Sequence, residues 1–508
     1  MNELALVNGQ VVTMEGQNPL AEGVLVRGGR IALVGTSREV MAERGPHAEV
    51  IDLKGRALLP GFIDTHVHLI STGLSMMGPR LESCRTLSQV LGALAAEAER
   101  QPTIVKASGL EPEAGSNGLH LTRWDLDRII PFKMAYVVRR DGHSVVVNTR
   151  TMEKLALPPN TPGIDGDSTT GESTGILRGD ARRIAGERLT SITGNDRQEA
   201  IRRATLKAAS VGITTVHALD GGWPRGHEDI QTLLSLEPSL PVKIVVYYQT
   251  KDVGKARELG LPRIGGCLLV DGSIASHTAA LTAPYDDDPD AEGVLYFSNQ
   301  ELRTFIREAH SSGLQISMHA IGDRAIEQLL SVYETVLGEQ PRTDHRHRIE
   351  HFLMAQPGQV QRAARLGLGV SMQPAFLHFS EERPNLYRER LGEERARQVN
   401  PLRQSVEAGI LLAGGSDSFV TPMDPLLGVH SAVNDHAPEN RLTPQQALEV
   451  FTINGARLAF EESEKGSIRP GKAADLVVLG ENPLHCPPES IKDIPVEMTI
   501  VEGDIKTG

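Results

Sequence analysis

Four places in this 508-residue chain carry side chains suited to holding a divalent cation. The run Asp64-Thr65-His66-Val67-His68 sets two imidazoles two residues apart. In an extended strand such residues share a face, so His66 and His68 aim the same way. Neutral imidazole is a common ligand for zinc and other divalent metals. Alone, the pair reads equally well as two hydrogen-bonded surface histidines. The other places are His319 in SMHAIGDRAI, His351 in HRIEHF and Asp417 in AGGSDS, each at the end of a strand-like apolar run. A fold that gathers strand ends at one face would bring all four together, and chance does not readily supply four such strand ends. A metal there acidifies its water from about 15.7 to about 7. A carboxylate beside it, such as Asp417, can accept the proton and pass it to a departing amine, a poor leaving group otherwise. Asp417 also reads as a ligand, as ligand and base together, or as a turn cap in GGSDS.

Positioning these groups needs a scaffold, and the middle of the chain supplies its rhythm. Eight apolar runs read as strands: 58–69, 213–219, 243–249, 266–272, 314–322, 347–352, 368–374 and 410–417. Helix-period stretches separate most of them, the pattern of repeated βα units around a parallel sheet. SNQELRTFIREAHSSG carries a capping box, Ser298 with Glu301, and stops at Gly313. TPQQALEVFTINGARLA opens on Thr443 with Pro444 at the first helical position. Eight units predict an α/β fold, a TIM (β/α)8 barrel, which typically takes about 250 residues and keeps its active site at the C-terminal mouth. The gap after the first strand is too long for one loop, so an inserted subdomain is expected over about 71–195, roofing the mouth. It contains the strand-like KMAYVVRRDGHSVVVN and the Gly/Thr-rich DGDSTTGESTG. Period-two alternation in ELALVNGQVVTM, AEGVLVRGGRIALVG, AADLVVLG and VEMTIVEGD marks both ends as strands. Neither end makes a core alone. Residues 1–57 and 460–508 are therefore expected to form one composite β-sandwich beside a 58–459 barrel domain.

The strings PGFIDTHVHL and GSD, with histidines on the fifth and sixth strands, resemble the amidohydrolase superfamily. VDGS, HAIGDRAI, RIEH, SMQP and GSIRPGKAADLVVL are similar to the branch containing N-substituted formamide deformylases. The resemblance spans nearly the whole chain; its motifs specify fold and metal chemistry but not substrate. It implies that His66, His68 and Asp417 hold one metal and that His319 and His351 hold a second. Many members bridge the two with a carboxylated lysine on the fourth strand. Here the matching residue is Cys267, in GGCLLVDG, and no lysine lies near it. A thiolate ligates zinc at about 2.3 Å, yet its sulfur sits one carbon from the backbone. Bridging by Cys267 thus requires deeper metals or a shifted strand; otherwise Cys267 is a small buried residue and one ion is held. The resemblance also makes Asp141-Gly142-His143 a substrate-contact segment, with His143 donating to the substrate carbonyl or, on the plainer reading, facing solvent. Asp271, Gln373, Asp323, Arg324, Arg348 and Glu350 flank these positions. By alternation Glu350 faces away from His351, and Arg348 is expected to structure the barrel.

Composition narrows the field. Lys and Arg total 52 against 65 Asp and Glu, a net charge of −13, which draws in no polyanion. Aromatics make up 4%, too few to suggest a stacking platform for nucleic acid, and no GxxxxGK[ST] phosphate loop occurs. No apolar run nears the roughly 20 residues that span a bilayer, and the start lacks a basic, then apolar, leader. A cytoplasmic enzyme with a small-molecule substrate is expected, without nucleic-acid or membrane partners; a homodimer stays open. Cys84, Cys267 and Cys486 are too scattered for a disulfide framework. The expected activity is hydrolysis of an amide, N-acyl or N-formyl C–N bond, with a divalent metal, zinc by preference, as one or two ions. Deamination, cyclic-amide opening and a barrel that binds metal and ligand without turnover are the alternatives.

Overall fold

Seven of the eight expected runs contain a parallel strand, and the eighth strand lies just ahead of its run. The strands are β1 (Phe62–Val67), β2 (Ile213–Ala218), β3 (Lys243–Val246), β4 (Arg263–Ile264), β5 (Gln315–Ala320), β6 (Arg348–His351), β7 (Gly369–Met372) and β8 (Leu411–Gly414). In the computed structural model, which describes residues 3–16, 21–110, 120–189, 192–221, 226–377 and 386–507, they order as β3-β2-β1 and β4-β5-β6-β7-β8. Two seams carry hydrogen bonds between these sheets. Just past β8, Asp417 N–H donates to the His66 carbonyl at 2.8 Å and His68 N–H to Ser418 O at 3.0 Å; between β3 and β4, Gly265 N–H donates to Tyr248 O at 2.9 Å.

Alternation along the strands sorts their side chains. Ile316, Met318 and Ala320 of β5 and Ile349 of β6 join the main apolar core. That core includes Phe305 and Ile306 of the helix Asn299–Ser311 and Leu329 and Tyr333 of the helix Asp323–Glu339. The intervening Ser317, His319, Arg348 and Glu350 are also buried, on the opposite face. The capping box read at Ser298/Glu301 and the N-cap read at Thr443 are both present, and Gln446 makes the second a capping box as well.

Two strand expectations need correction. The run 58–69 is divided: Ala57–Pro60 pairs antiparallel with Leu476–Leu479 near the C-terminus, and only Phe62 onward joins β2. The fourth strand ends before 266. Gly265 and Gly266 take φ of +94° and +57°, which breaks extended backbone, so Cys267 lies beyond β4 rather than on it.

Strands from the two ends of the chain pair with one another. One sheet orders Arg30–Gly35, Gly23–Arg27, Glu3–Val7 and Glu49–Asp52; the other orders Gln10–Val11, Ala57–Pro60, Leu476–Leu479, Val496–Val501 and Asp504–Thr507. Leu4, Leu6, Val24 and Val26 from the first sheet cluster with Leu58, Leu476, Val478 and Ile500 from the second. Between β1 and β2 stands a five-stranded sheet of its own: Ile164–Gly166, Ser173–Arg178, Ser144–Val147, Met134–Arg139 and Ile104–Leu110. The single strand read over KMAYVVRRDGHSVVVN is a hairpin, turning at Gly142 with φ +69°. Among the described residues no helix is long and apolar enough to cross a membrane.

Candidate metal centre

The C-terminal ends of β1, β5, β6 and β8 and the segment after β4 bring His66, His68, His319, His351, Asp417 and Cys267 together. His66 Nε2 lies 3.2 Å and His68 Nε2 3.3 Å from Asp417 Oδ1. Cys267 Sγ lies 3.7 Å from His319 Nδ1 and 3.9 Å from His351 Nε2. Two groups of ligand atoms fall within 4.8 Å of one another, His66–His68–Asp417 and His66–Cys267–His351, with His66 common to both. His319 joins neither group and reaches the cluster through the sulfur.

Each histidine is held by the ring nitrogen that faces away. His66 Nδ1 pairs with Glu350 Oε2 at 2.7 Å, His68 Nδ1 with Leu219 O at 3.1 Å, and His351 Nδ1 with Gln373 Oε1 at 2.7 Å. His319 Nε2 pairs with Gly272 O at 3.2 Å and lies 3.3 Å from Asp271 Oδ1. All these partners are acceptors, so the anchored nitrogen carries a proton and the inward one is left to face the centre. That is the arrangement of metal-ligating histidines. His66 Nε2 is buried and makes no well-aligned hydrogen bond, its near neighbour being Asp417 Oδ1, an expensive state for an imidazole unless something else satisfies it. The imidazole, thiolate and carboxylate donors together fit a divalent cation.

The electrostatics agree. Burial opposes charge on His68, but hydrogen bonds to Asp417 and Cys267 push it up to about 10. His319 is likewise pushed to about 10 against burial, by Asp271 and Cys267. Burial would raise the Cys267 thiol, yet His66, His319 and His351 hold it well below its ordinary value. The metal-free cluster thus gathers protons around an electron-rich centre.

Backbone geometry does the aiming. Plain alternation would send His351 outward with Ile349; φ of +70° at His351 and +55° at Phe352 turns it inward. Asp417 also sits at φ +53°. A Cβ on Gly265 would fall 2.1 Å from Ser317 O, and one on Gly266 2.8 Å from Tyr247 O. The two glycines let the chain dive inward, which is how a short cysteine reaches the centre.

His143, on the hairpin tip, stands with its ring 5.7 Å from that of His319. Asp141 pins the tip, accepting from Ser273 Oγ at 3.1 Å and from Ser276 Oγ. Burial outweighs the attraction of Asp141 and pushes His143 down to about 4, so its ring is neutral. A cavity of about 1070 Å³ is lined by His68, His143, Cys267, His319, His351 and Asp417 together with Arg178, Lys251 and Phe419. A smaller one adjoins His143, His351 and Asp417 with apolar walls that include Ile321, Leu353 and Phe376.

The remaining flanking residues serve the scaffold. Asp271 accepts from the Ile321, Gly322 and Ala280 amides, at 3.0, 2.7 and 2.9 Å. Asp323 accepts from Thr282, and Arg324 pairs with Glu292 at 3.3 Å. Sequence reasoning did not assign the anchoring roles of Glu350, Gln373 and Asp271. It also passed over Asp220, which accepts from the Leu69 and Ile70 amides beside His68 and is pushed by burial to about 6. Their only sequence signal was proximity to a histidine.

A model of the Amidohydrolase family matches residues 49–506, and the chain belongs to that family. The N-substituted formamide deformylase of Arthrobacter pascens is 27% identical over 543 residues, covering 100% of this chain and 98% of the deformylase. Protein LONG AFTER FAR-RED 3 of Arabidopsis thaliana is 29% identical over 518 residues, covering 94% of this chain and 87% of the plant protein. Among solved structures, an uncharacterized metal-dependent hydrolase from Pyrococcus horikoshii OT3 superposes with a TM-score of 0.77 at 27% identity, covering 96% of this chain and 99% of that one.

Proposed function

We propose that this member of the amidohydrolase family is a metal-dependent hydrolase cleaving an amide, N-acyl or N-formyl C–N bond of a small molecule by a metal-activated water. The observation that carries the reading is the set of four histidines anchored from outside, whose free nitrogens converge on Asp417 and Cys267. The A. pascens relative, a formamide deformylase by name, supports C–N hydrolysis. We further read β1–β8 as a closed (β/α)8 barrel spanning 58–459, with the two terminal sheets as a composite β-sandwich and 71–195 as the insertion over the mouth.

His66, His68 and Asp417 would hold one ion and Cys267, His351 and His319 a second, or the set shares one; imidazole and thiolate donors suit zinc. A bound divalent cation supplies Lewis acidity, polarising a carbonyl and acidifying water. The chain's own groups do the rest. Burial would raise the Asp417 carboxyl, but His66 and His68 hold it well below the usual range. Asp417 therefore meets the substrate as a carboxylate, takes the proton of the attacking water and hands it to the leaving nitrogen. Neutral His143 offers a ring N–H to the oxygen that gains charge. The hairpin tip fixed by Asp141 holds that donor over the cavity and keeps bulk water away.

The test is a screen of the purified, zinc-loaded chain against N-formyl and N-acyl amines, cyclic amides and aminated heterocycles, following carboxylate and ammonia separately. Carboxylate release above the free-zinc background is the expected result. Ammonia from a heterocycle would make it a deaminase, and no turnover with metal bound would make it a binding barrel.

A further inference from the structure

Below the candidate metal centre, Arg348 and Glu350 form an ion pair with both side chains fully buried. A pair taken wholly out of water contributes little net stability and is weak evidence for a stabilising role. Its connections suggest another use. Glu350 Oε2 accepts from His66 Nδ1 at 2.7 Å, and Glu350 also accepts from Ser317 Oγ and Arg348 Nε. Arg348 in turn donates to Thr65 O at 2.6 Å and to His217 Nδ1 at 3.0 Å, with its guanidinium 3.9 Å from the Tyr247 ring centre. The carboxylate is thus clamped by Ser317 of β5 and Arg348 of β6, and its remaining partner is the outward nitrogen of His66. Because His66 is the ligand common to both donor groups, whatever aims it acts on the whole centre.

We propose that Glu350 is a positioning residue for the metal centre: it fixes His66 as the Nδ1–H tautomer with Nε2 turned to the metal, and Arg348 balances the buried charge of the carboxylate. This rests on the metal reading above. Outer partners of this kind typically change metal affinity by 10–100-fold when lost.

The experiment measures Zn²⁺ affinity of the full-length, metal-stripped chain by competition with a chromophoric chelator, alongside circular dichroism and melting. Single removal of Glu350 would strand the arginine, so the pair is replaced together. R348M/E350Q keeps a neutral acceptor at the same reach, whereas R348M/E350L removes it. The expected result is a 10–100-fold loss of Zn²⁺ affinity in the leucine variant and affinity within a few-fold of wild type in the glutamine variant. Equal affinities in both variants, whether high or low, overturn the proposal. If either double variant fails to fold, E350D decides: it keeps the charge beside Arg348 and withdraws the acceptor by one methylene. A folded E350D with wild-type affinity overturns the proposal, and a 10-fold or greater loss supports it. A wild-type chain that takes up no Zn²⁺ overturns the metal reading itself, an outcome distinct from any difference among variants.

Discussion

The molecule has a second histidine cluster, and the two are built on opposite plans. His310, His345 and His347 lie at the N-terminal ends of β5 and β6, away from the cavity. Ile316 N–H donates to His347 Nδ1 at 3.0 Å, so the proton of that ring is on Nε2 and goes to His310 Nδ1 at 2.8 Å. His310 must then donate through Nε2 to Gln340 O at 2.8 Å. His345 Nδ1 accepts from the His347 amide at 3.0 Å, and its Nε2 donates to Leu366 O at 2.9 Å. Every ring nitrogen is spent on protein. At the mouth each histidine gives one nitrogen to the scaffold and turns the other toward a thiolate or a carboxylate. Histidine density is therefore no metal signal; the direction of the second nitrogen is.

The comparison breaks most decisively at Asp417. Asp417→Asn keeps the shape but gives up the proton acceptor, and turnover should fall about 10³-fold, within the span usual for general acid–base groups. Steady-state kinetics on zinc-loaded protein measure it. His347→Gln, in the other cluster, should leave kcat within two-fold. Full activity in the Asp417 variant removes the carboxylate from the chemistry.

Cys267 sharpens the contrast, because among the described residues no cysteine or carboxylate bonds to a ring of the other cluster. Cys267→Ser should weaken Zn²⁺ binding by more than the 10–100-fold typical of a lost outer partner, read by chelator competition. Unchanged affinity would return Cys267 to the status of a small buried residue. A smaller effect belongs to His143, which touches no ligand group. His143→Phe should lower kcat roughly 10²-fold, the usual cost of one oxyanion donor, with metal content unchanged.

Much of this was legible in the sequence. Period-two alternation at both ends and βα rhythm between them identified the sheets, since both follow from which faces are buried. His66 and His68 could be placed because a regular strand fixes their common direction. His351 and Asp417 could be nominated but not aimed, because left-handed backbone at both positions reverses what alternation dictates. Cys267 could reach the centre only with deeper metals or a shifted strand, and the paired glycines before it supply the shift by bringing the backbone inward. Glu350 was expected to face away from His351, but the left-handed turn at His351 brings both to His66, and the contact of Glu350 with His66 joins residues 284 apart, a distance that no local pattern encodes.

The smallest expected effect is also the one that pits the clusters against each other directly, in the metal-free chain. Burial, with the nearby Arg342, lowers His310, His345 and His347 from the ordinary histidine value, most strongly His347. Above the unfolded value of about 6.5 both folded and unfolded chains hold these rings neutral, and their contribution is complete. As pH falls below 6.5 the unfolded chain takes up protons the folded one refuses, so stability is lost toward the acid side. Two of the mouth histidines have the opposite sign. His68 and His319, raised to about 10, contribute fully below 6.5 and lose that contribution as pH climbs through 10. Melting curves from pH 5 to 10.5 should therefore fall at both ends, the lower cluster contributing to the acid limb and His68 and His319 to the alkaline one. His347→Phe should flatten the acid limb alone, at a general cost of about 1–3 kcal/mol for the orphaned Ile316 amide. Zinc should abolish the alkaline limb alone, because ligands that have given their protons to solvent no longer titrate there. An acid limb unmoved by His347→Phe would mean that the lower cluster is inert packing rather than a proton-excluding network.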